Sequence, residues 1–315
     1  MAANPMGNVV STARAASPRA TKPFRESGMP LMNPKLSAAL AAAIWGTTYI
    51  FVSVVLPHNP IFTAAVRALG GGLPLLLFYN EVPPRDWWGK VAVLGTLNCG
   101  VVFAFLFIAA ERLPGGVAGT LQSLGPIITV LIAWPLLGER PTWLRLVSVV
   151  LGSIGVMILL TSGQIVLDGI GAIAGLIAAV SLALGGVLLN RWGRPIPLLE
   201  FTAWQLVIGG VELAALAAIL GDVPSSLGLA SIGAYVYVAL IGTSIAYALW
   251  FHGVEKAGAP AVAPFFLLIP MVAFALDAVV RGFVPTGVQA LGAAIVVGSL
   301  VINQQAGKRR TAAAR

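Results

Sequence analysis

Charge is scarce in this sequence: only 10% of its 315 residues are Asp, Glu, Lys or Arg. A soluble domain spends about 25% of its residues on charge, so a water-facing surface cannot be assembled from this supply. Cysteine is almost absent as well. The single Cys99 lies inside an apolar stretch, which excludes an internal disulfide and a cysteine-built metal cluster. The two histidines, His58 and His252, fall at the ends of apolar segments. No glycine-rich stretch runs into Lys-Ser or Lys-Thr, and no nucleophile has a base at a suitable spacing. ATP-driven work by this chain alone is therefore not expected, and neither is a cofactor or a bound metal.

What is present is apolar. Hydrophobic residues make up 58% of the chain, and the mean hydropathy is +0.93. A hydrocarbon core about 30 Å thick takes roughly 20 helical residues per crossing, and this material fills about ten. A spanning barrel would alternate apolar and polar residues, whereas 147–160 is continuously apolar. Helices satisfy their own backbone in lipid. The expected spans are 36–56, 61–79, 90–110, 115–137, 143–161, 169–190, 199–220, 229–251, 259–280 and 285–302, punctuated by Pro57, Pro60, Pro83, Pro84, Pro114, Pro141, Pro195, Pro197, Pro224, Pro260 and Pro285.

Residues 1–35, rich in Ala, Pro, Ser and Arg, read as a disordered cytoplasmic tail, and no signal peptide is evident ahead of the first span. Residues 305–315 read as a basic cytoplasmic tail whose Lys308 to Arg310 meet anionic lipid. With the N-terminus inside, sixteen of the nineteen Lys and Arg residues fall on the cytoplasmic side; Arg112 and Arg281 fall outside, and Arg67 falls within a span. The net charge of +8 thus reports orientation rather than nucleic acid, and both termini are expected in the cytoplasm of a multi-pass cell-membrane protein.

A shift of 144 residues aligns Glu111 with Glu255, Leu124 with Leu268, Pro126 with Pro270, Gly138 with Gly282, Pro141 with Pro285 and Thr142 with Thr286. A shift of 139 aligns Phe62, Thr63, Ala64, Gly70 and Gly71 with Phe201, Thr202, Ala203, Gly209 and Gly210. The expected fold is an all-α integral membrane protein of ten helices in two five-helix repeats, 36–162 and 163–304. Five is odd, so the second repeat is inverted, the arrangement that lets a site between two halves face each side in turn.

Ile44, Trp45 and Gly46, Ala64 to Arg67, Pro126, Gly138 to Arg140, and Gly242 to Trp250 occur in an order and spacing that resemble the drug/metabolite transporter superfamily, specifically its EamA-type ten-helix transporters. The resemblance covers roughly 36–304. It implies carriage of small metabolites such as amino acids, sugars, nucleosides or drugs, often outward, without ATP hydrolysis. The second-half turn departs from the pattern: Arg281, Gly282 and Phe283 stand where the first half has Gly-Glu.

Arg67 is the strongest single pointer. It either anchors an anionic group of a substrate or snorkels to the outer headgroups. Glu212, near the middle of the seventh span with Gln205 and Trp204 on a neighbouring stripe, is a candidate carrier of a coupling proton, against a structural acid bonded to another helix. Trp45, Tyr49, Asn98, Gln122, Trp204, Gln205, Tyr247 and Trp250 are candidates to line a central cavity, although Trp and Tyr also serve as belt residues. Trp87, Trp88, Trp143 and Trp192 read as belt. Asp277 and Arg281 have the spacing of a helical ion pair, and Glu139 with Arg140 reads as a solvated turn. Pro126 and Pro270 read as mid-span kinks. The reading is a secondary transporter, in the exporting direction, of small organic metabolites such as amino acids or drugs. Protons are the candidate coupling ion, the bilayer is the partner, and a homodimer is a candidate assembly. The alternatives are a lipid-modifying membrane enzyme and a non-transporting scaffold.

Overall fold

The computed structural model describes residues 32–138, 141–161, 168–282 and 286–313. Of the tail assigned to 1–35, residues 1–31 lie outside these, as does the turn at Glu139 and Arg140, while Pro34 and Lys35 already belong to the first helix. We label the helical segments in chain order: α1 (Pro34–Val55), α2 (Pro60–Phe78), α3 (Arg85–Arg112), α4 (Gly115–Leu137), α5 (Trp143–Thr161), α6 (Gly169–Trp192), α7 (Leu198–Leu220), α8 (Leu229–Ala257), α9 (Leu268–Arg281) and α10 (Gly287–Ala313). The described residues contain no strand. Seven segments, α1 to α4 and α6 to α8, are long and apolar enough to cross a membrane; α5 and α10 carry shorter apolar runs, Leu146–Gly155 and Gly287–Ile302. Several large apolar side chains face outward, among them Leu77, Phe78, Ile219, Leu229 and Val279, as suits a surface solvated by lipid tails.

Local sequence sets the helix ends. Pro34 and Pro60 occupy first-turn positions of α1 and α2, where a missing N–H costs nothing. Gly138 and Gly282 end α4 and α9 in the left-handed region, at φ 69° and 64°, a conformation that a side chain would strain. Asp168 caps α6 by accepting from the N–H groups of Ile170 and Gly171, and it also binds Arg112 at 2.7 Å. The Gly171 N–H and the Arg112 guanidinium hold this exposed carboxyl below its ordinary range.

Pro126 and Pro270 are not mid-helix kinks. The helix of α4 breaks in a turn at Ser123 and Leu124, and Pro126 opens the next piece at a first-turn position. Pro270 likewise lies in the first turn of α9, after a short helix Ala259–Val262 and a 3-10 turn Ala263–Leu267. The prolines restart helices because a first turn has no hydrogen bond for them to remove. Wider π-turns, which periodicity does not announce, occur at Phe51–Val55, at Thr96–Val101 of α3 and at Tyr237–Ile245 of α8.

The main packed pairs are α5 with α10, α2 with α7, α3 with α6, α1 with α8, α3 with α7, α1 with α9, α2 with α8, α4 with α6, and the first half of α4 with α9. Small residues allow these approaches. A methyl at Gly71 would overlap the Thr243 side chain, and one at Gly209 would meet Cys99 and the backbone of α3.

Candidate functional site

Arg67 lies seven residues into α2, about 10 Å along the helix, and is 5% exposed. Its headgroup does not snorkel. Nε donates to Thr243 Oγ1 at 3.1 Å, Nη2 donates to the Gly242 carbonyl at 3.5 Å, and the guanidinium stands 4.6 Å from the Phe103 ring centroid and 5.6 Å from that of Phe107. The acceptors exist because α8 is widened there. Thr243 turns its hydroxyl back to the Val238 carbonyl five residues earlier, and Gly242, without a side chain, leaves its carbonyl open to the guanidinium. Gly71 lets α2 and α8 come close enough for the contact. No carboxylate pairs with Arg67 among the described residues. Tyr49, Tyr247 and Cys99 are the groups within electrostatic range of it.

An aromatic cluster adjoins this cation. The Trp45 ring lies 5.3 Å from Tyr247, 5.4 Å from Trp250 and 5.9 Å from Phe266, and Trp250 meets Phe266 at 4.4 Å. Of the sequence candidates, Tyr49 and Tyr247 lie near Arg67, and Trp45 and Trp250 continue from Tyr247 as a ring cluster between α1 and α8, with Phe266 added from the turn before α9. Sequence reasoning missed Phe103, Phe107, Phe266 and Thr48. The spacing of Phe103 and Phe107, four apart on α3, was the available signal.

The remaining candidates go elsewhere. Asn98 donates to Gln205 Oε1 at 2.8 Å, and Gln205 donates back to the Phe201 carbonyl. This amide pair joins α3 to α7, with the Asn98 carbonyl oxygen set into the notch at Gly185 of α6. Gln122 is half-buried at the break in α4. Trp204 is not deep. Its indole N–H donates to the Glu81 carbonyl and its ring meets Trp88 at 5.0 Å, so it stands with the belt, being only one and a half turns from the start of α7. Glu212 is exposed, although Gln205 on the same stripe is buried. It accepts from Thr96 Oγ1 at 2.7 Å, and Thr96 and Gly100 are too small to cover it.

Asp277 also differs from expectation. It is 1% exposed and turns to the Gly116 N–H at 2.9 Å, with Arg281 no nearer than 3.9 Å. Gly115 and Gly116 open α4 without side chains, so the carboxylate of α9 reaches the positive end of that helix. On the same side of the bundle, Asp222 accepts from Asn59 Nδ2 at 2.9 Å and from the N–H groups of Ile61 and Phe62 at 2.7 and 3.3 Å. A shallow groove of about 330 Å³ between α2 and α7, lined by Phe62, Leu69, Ala214 and other apolar residues, lies on a different face of α2 from Arg67.

A lipid-solvated helical bundle with a polar, aromatic-lined centre is the architecture of a membrane transporter. The chain belongs to the EamA-like transporter family, whose model matches residues 34–161 and again 169–304, and hence to the drug/metabolite transporter superfamily. It is 36% identical over 276 residues to protein PecM of Dickeya dadantii, covering 87% of this chain and 93% of that one. It is 28% identical over 291 residues to a probable amino-acid metabolite efflux pump of Salmonella typhimurium, covering 84% of this chain and 93% of the relative. It is 27% identical over 270 residues to the uncharacterized inner membrane transporter YedA of Escherichia coli K12, covering 82% and 86%. A solved structure titled only as the crystal structure of a protein shares the fold, with a TM-score of 0.61, 21% identity, and coverage of 88% of this chain and 98% of that chain.

Proposed function

We propose that this transporter carries small organic metabolites bearing a carboxylate, in the exporting direction, by alternating access about the Arg67 site. The observation that carries the reading is a buried guanidinium whose partners among the described residues are all neutral. A cation at that depth is costly, and it is stabilised most by an anion that arrives and leaves. Trp45, Tyr49, Tyr247 and Trp250 supply the contact surface for the substrate body.

In this reading the ten segments all cross the membrane, as two inverted halves at 36–162 and 163–304, with both termini cytoplasmic. The double match to one family model supports it. So do the helix breaks near Leu124 and Leu268, the left-handed glycines 144 residues apart, and the pairing of α1 with α8 against α6 with α3. The efflux-pump relative supports the direction. Protons are the coupling ion, with Glu212 as their carrier through its bond to Thr96, and two copies meet in the bilayer. Counterflow of labelled amino acids, nucleosides, sugars and drugs in sealed liposomes tests the class. Saturable exchange of carboxylates is expected. Turnover of a lipid by the detergent-solubilised protein, with no flux in vesicles, would instead assign an enzyme.

A further inference from the structure

Two buried donors on α1 have no partner among the described residues. Trp45 Nε1 and Thr48 Oγ1 are both shielded, and neither makes a hydrogen bond. Burying a polar group without a partner is unfavourable, and such groups in a packed core need an explanation. These two are three residues apart on α1 and so share one face of it, Thr48 standing about 4.5 Å further along the helix. Thr48 is 2% exposed, and its hydroxyl lies 3.9 Å from where a side chain at Gly242 would begin. Gly242 is the residue whose carbonyl accepts from Arg67. Trp45 in turn is the ring shared by the contacts to Tyr247, Trp250 and Phe266. The junction of α1, α2 and α8 therefore holds the Arg67 guanidinium, the Thr48 hydroxyl near Gly242, and the Trp45 indole N–H within the aromatic cluster.

We propose that Trp45 and Thr48 are specificity-determining residues, and that the substrate is an aromatic carboxylate carrying a second hydrogen-bond acceptor, such as a carbonyl. The anionic group meets Arg67, the ring enters the box of Trp45, Tyr247, Trp250 and Phe266, and the acceptor takes the indole N–H or the Thr48 hydroxyl. This rests on the reading of Arg67 as the anion anchor. Indole is a donor only, so it selects for acceptors and offers nothing to a purely apolar ring. A site with a donor waiting rejects the analogue that lacks the acceptor, because the donor is then left unpaired.

The test uses two matched pairs that differ by one carbonyl: phenylpyruvate against 3-phenylpropionate, and 4-acetylbenzoate against 4-ethylbenzoate. Counterflow of each labelled keto acid is measured in proteoliposomes, with its carbonyl-free twin as competitor. Wild type should prefer one of the keto acids by about tenfold. Trp45→Phe keeps a ring and Thr48→Val keeps the shape; at least one of them should reduce that preference to about twofold, because the loss falls on the keto acid more than on its carbonyl-free twin. A melting midpoint near that of wild type shows that each variant is folded. No preference in wild type, or a preference untouched in both variants, overturns the proposal, and a fixed water then accounts for the two donors. Failure to exchange any of the four acids likewise overturns the proposal, whereas exchange that survives Arg67→Ala overturns the underlying reading of Arg67 instead.

Discussion

Replacing Asp222 with alanine should release the start of α2 from the far end of α7. The first turn of α2 begins at Pro60, which has no N–H, and Asn59 provides no side-chain cap of its own. The first-turn backbone donors at Ile61 and Phe62, which have no partner within the helix, are instead met by Asp222, which also takes the Asn59 amide. Loss of a helix cap costs about 0.5–2 kcal/mol, and a hydrogen bond to a charged group contributes about 1.5–3 kcal/mol. Asp222→Ala should therefore cost roughly 3 kcal/mol, and Asp222→Asn, which keeps one acceptor oxygen, roughly half of that. The corresponding fall in Tm is of the order of 6–10 °C for the alanine variant. Thermal unfolding in detergent at a fixed scan rate reads it, the fixed rate being needed because unfolding of such proteins is commonly irreversible. Asn59→Ala added to Asp222→Ala should cost less than the two effects summed, since they share a bond. A midpoint for Asp222→Ala within about 1 °C of wild type would refute the cap in trans.

Asp277→Ala should destabilise by about 1–3 kcal/mol through the lost cap on α4, whereas Arg281→Ala should change the same melting midpoint little, since that arginine is part-exposed and 3.9 Å away. Gly71→Val places branched carbon where Thr243 packs and should cost about 1–3 kcal/mol along with transport, while Gly186→Ala, with open space around it, should be neutral or stabilising. Because Asp168 is held below its ordinary carboxyl range, its contribution is full above the unfolded value and is lost as pH falls through the lower folded value. Protection of the Ile170 and Gly171 amides from hydrogen exchange, taken relative to the intrinsic rate at each pH, should fall over that acid range, and Asp168→Ala should show the low protection already at neutral pH.

The helices were legible because apolar runs between prolines and glycines allow little else in lipid. Most predicted ends fall within a few residues of those observed; α8, which continues to Ala257, and α10, which continues to Ala313, run past them. The breaks were misplaced for a physical reason: a proline marks a discontinuity, but whether it kinks a helix or restarts one depends on its neighbours. At Ser123 and Leu124 the signal is the Gly125-Pro126 pair that follows, which marks the break but not its form. The centre of the site was legible in part. Arg67, Trp45, Tyr49 and Tyr247 stand out as unusual side chains in apolar spans, whereas Phe103, Phe107 and Gly242 have the same composition as the lipid-facing surface. Asn98 and Gln205 look like cavity amides in sequence, yet they bond to each other across α3 and α7, and Gln205 also bonds within its own helix to the Phe201 carbonyl. Glu212 shares a stripe with Gln205, but periodicity does not say how large the side chains across the stripe are. The roles of Asp222 and Asp277 depend on donors about 160 residues away along the chain, beyond the reach of local pattern.

The central claim is that Arg67 holds the substrate's anionic group. It is tested most directly by counterflow of labelled carboxylates into sealed liposomes with wild type, Arg67→Ala and Arg67→Lys, alongside a melting curve for each to show folding. The account predicts saturable exchange in wild type, its loss in the alanine variant, and weak exchange with the lysine, which keeps the charge but not the planar fork. Undiminished exchange by a folded Arg67→Ala protein would contradict it.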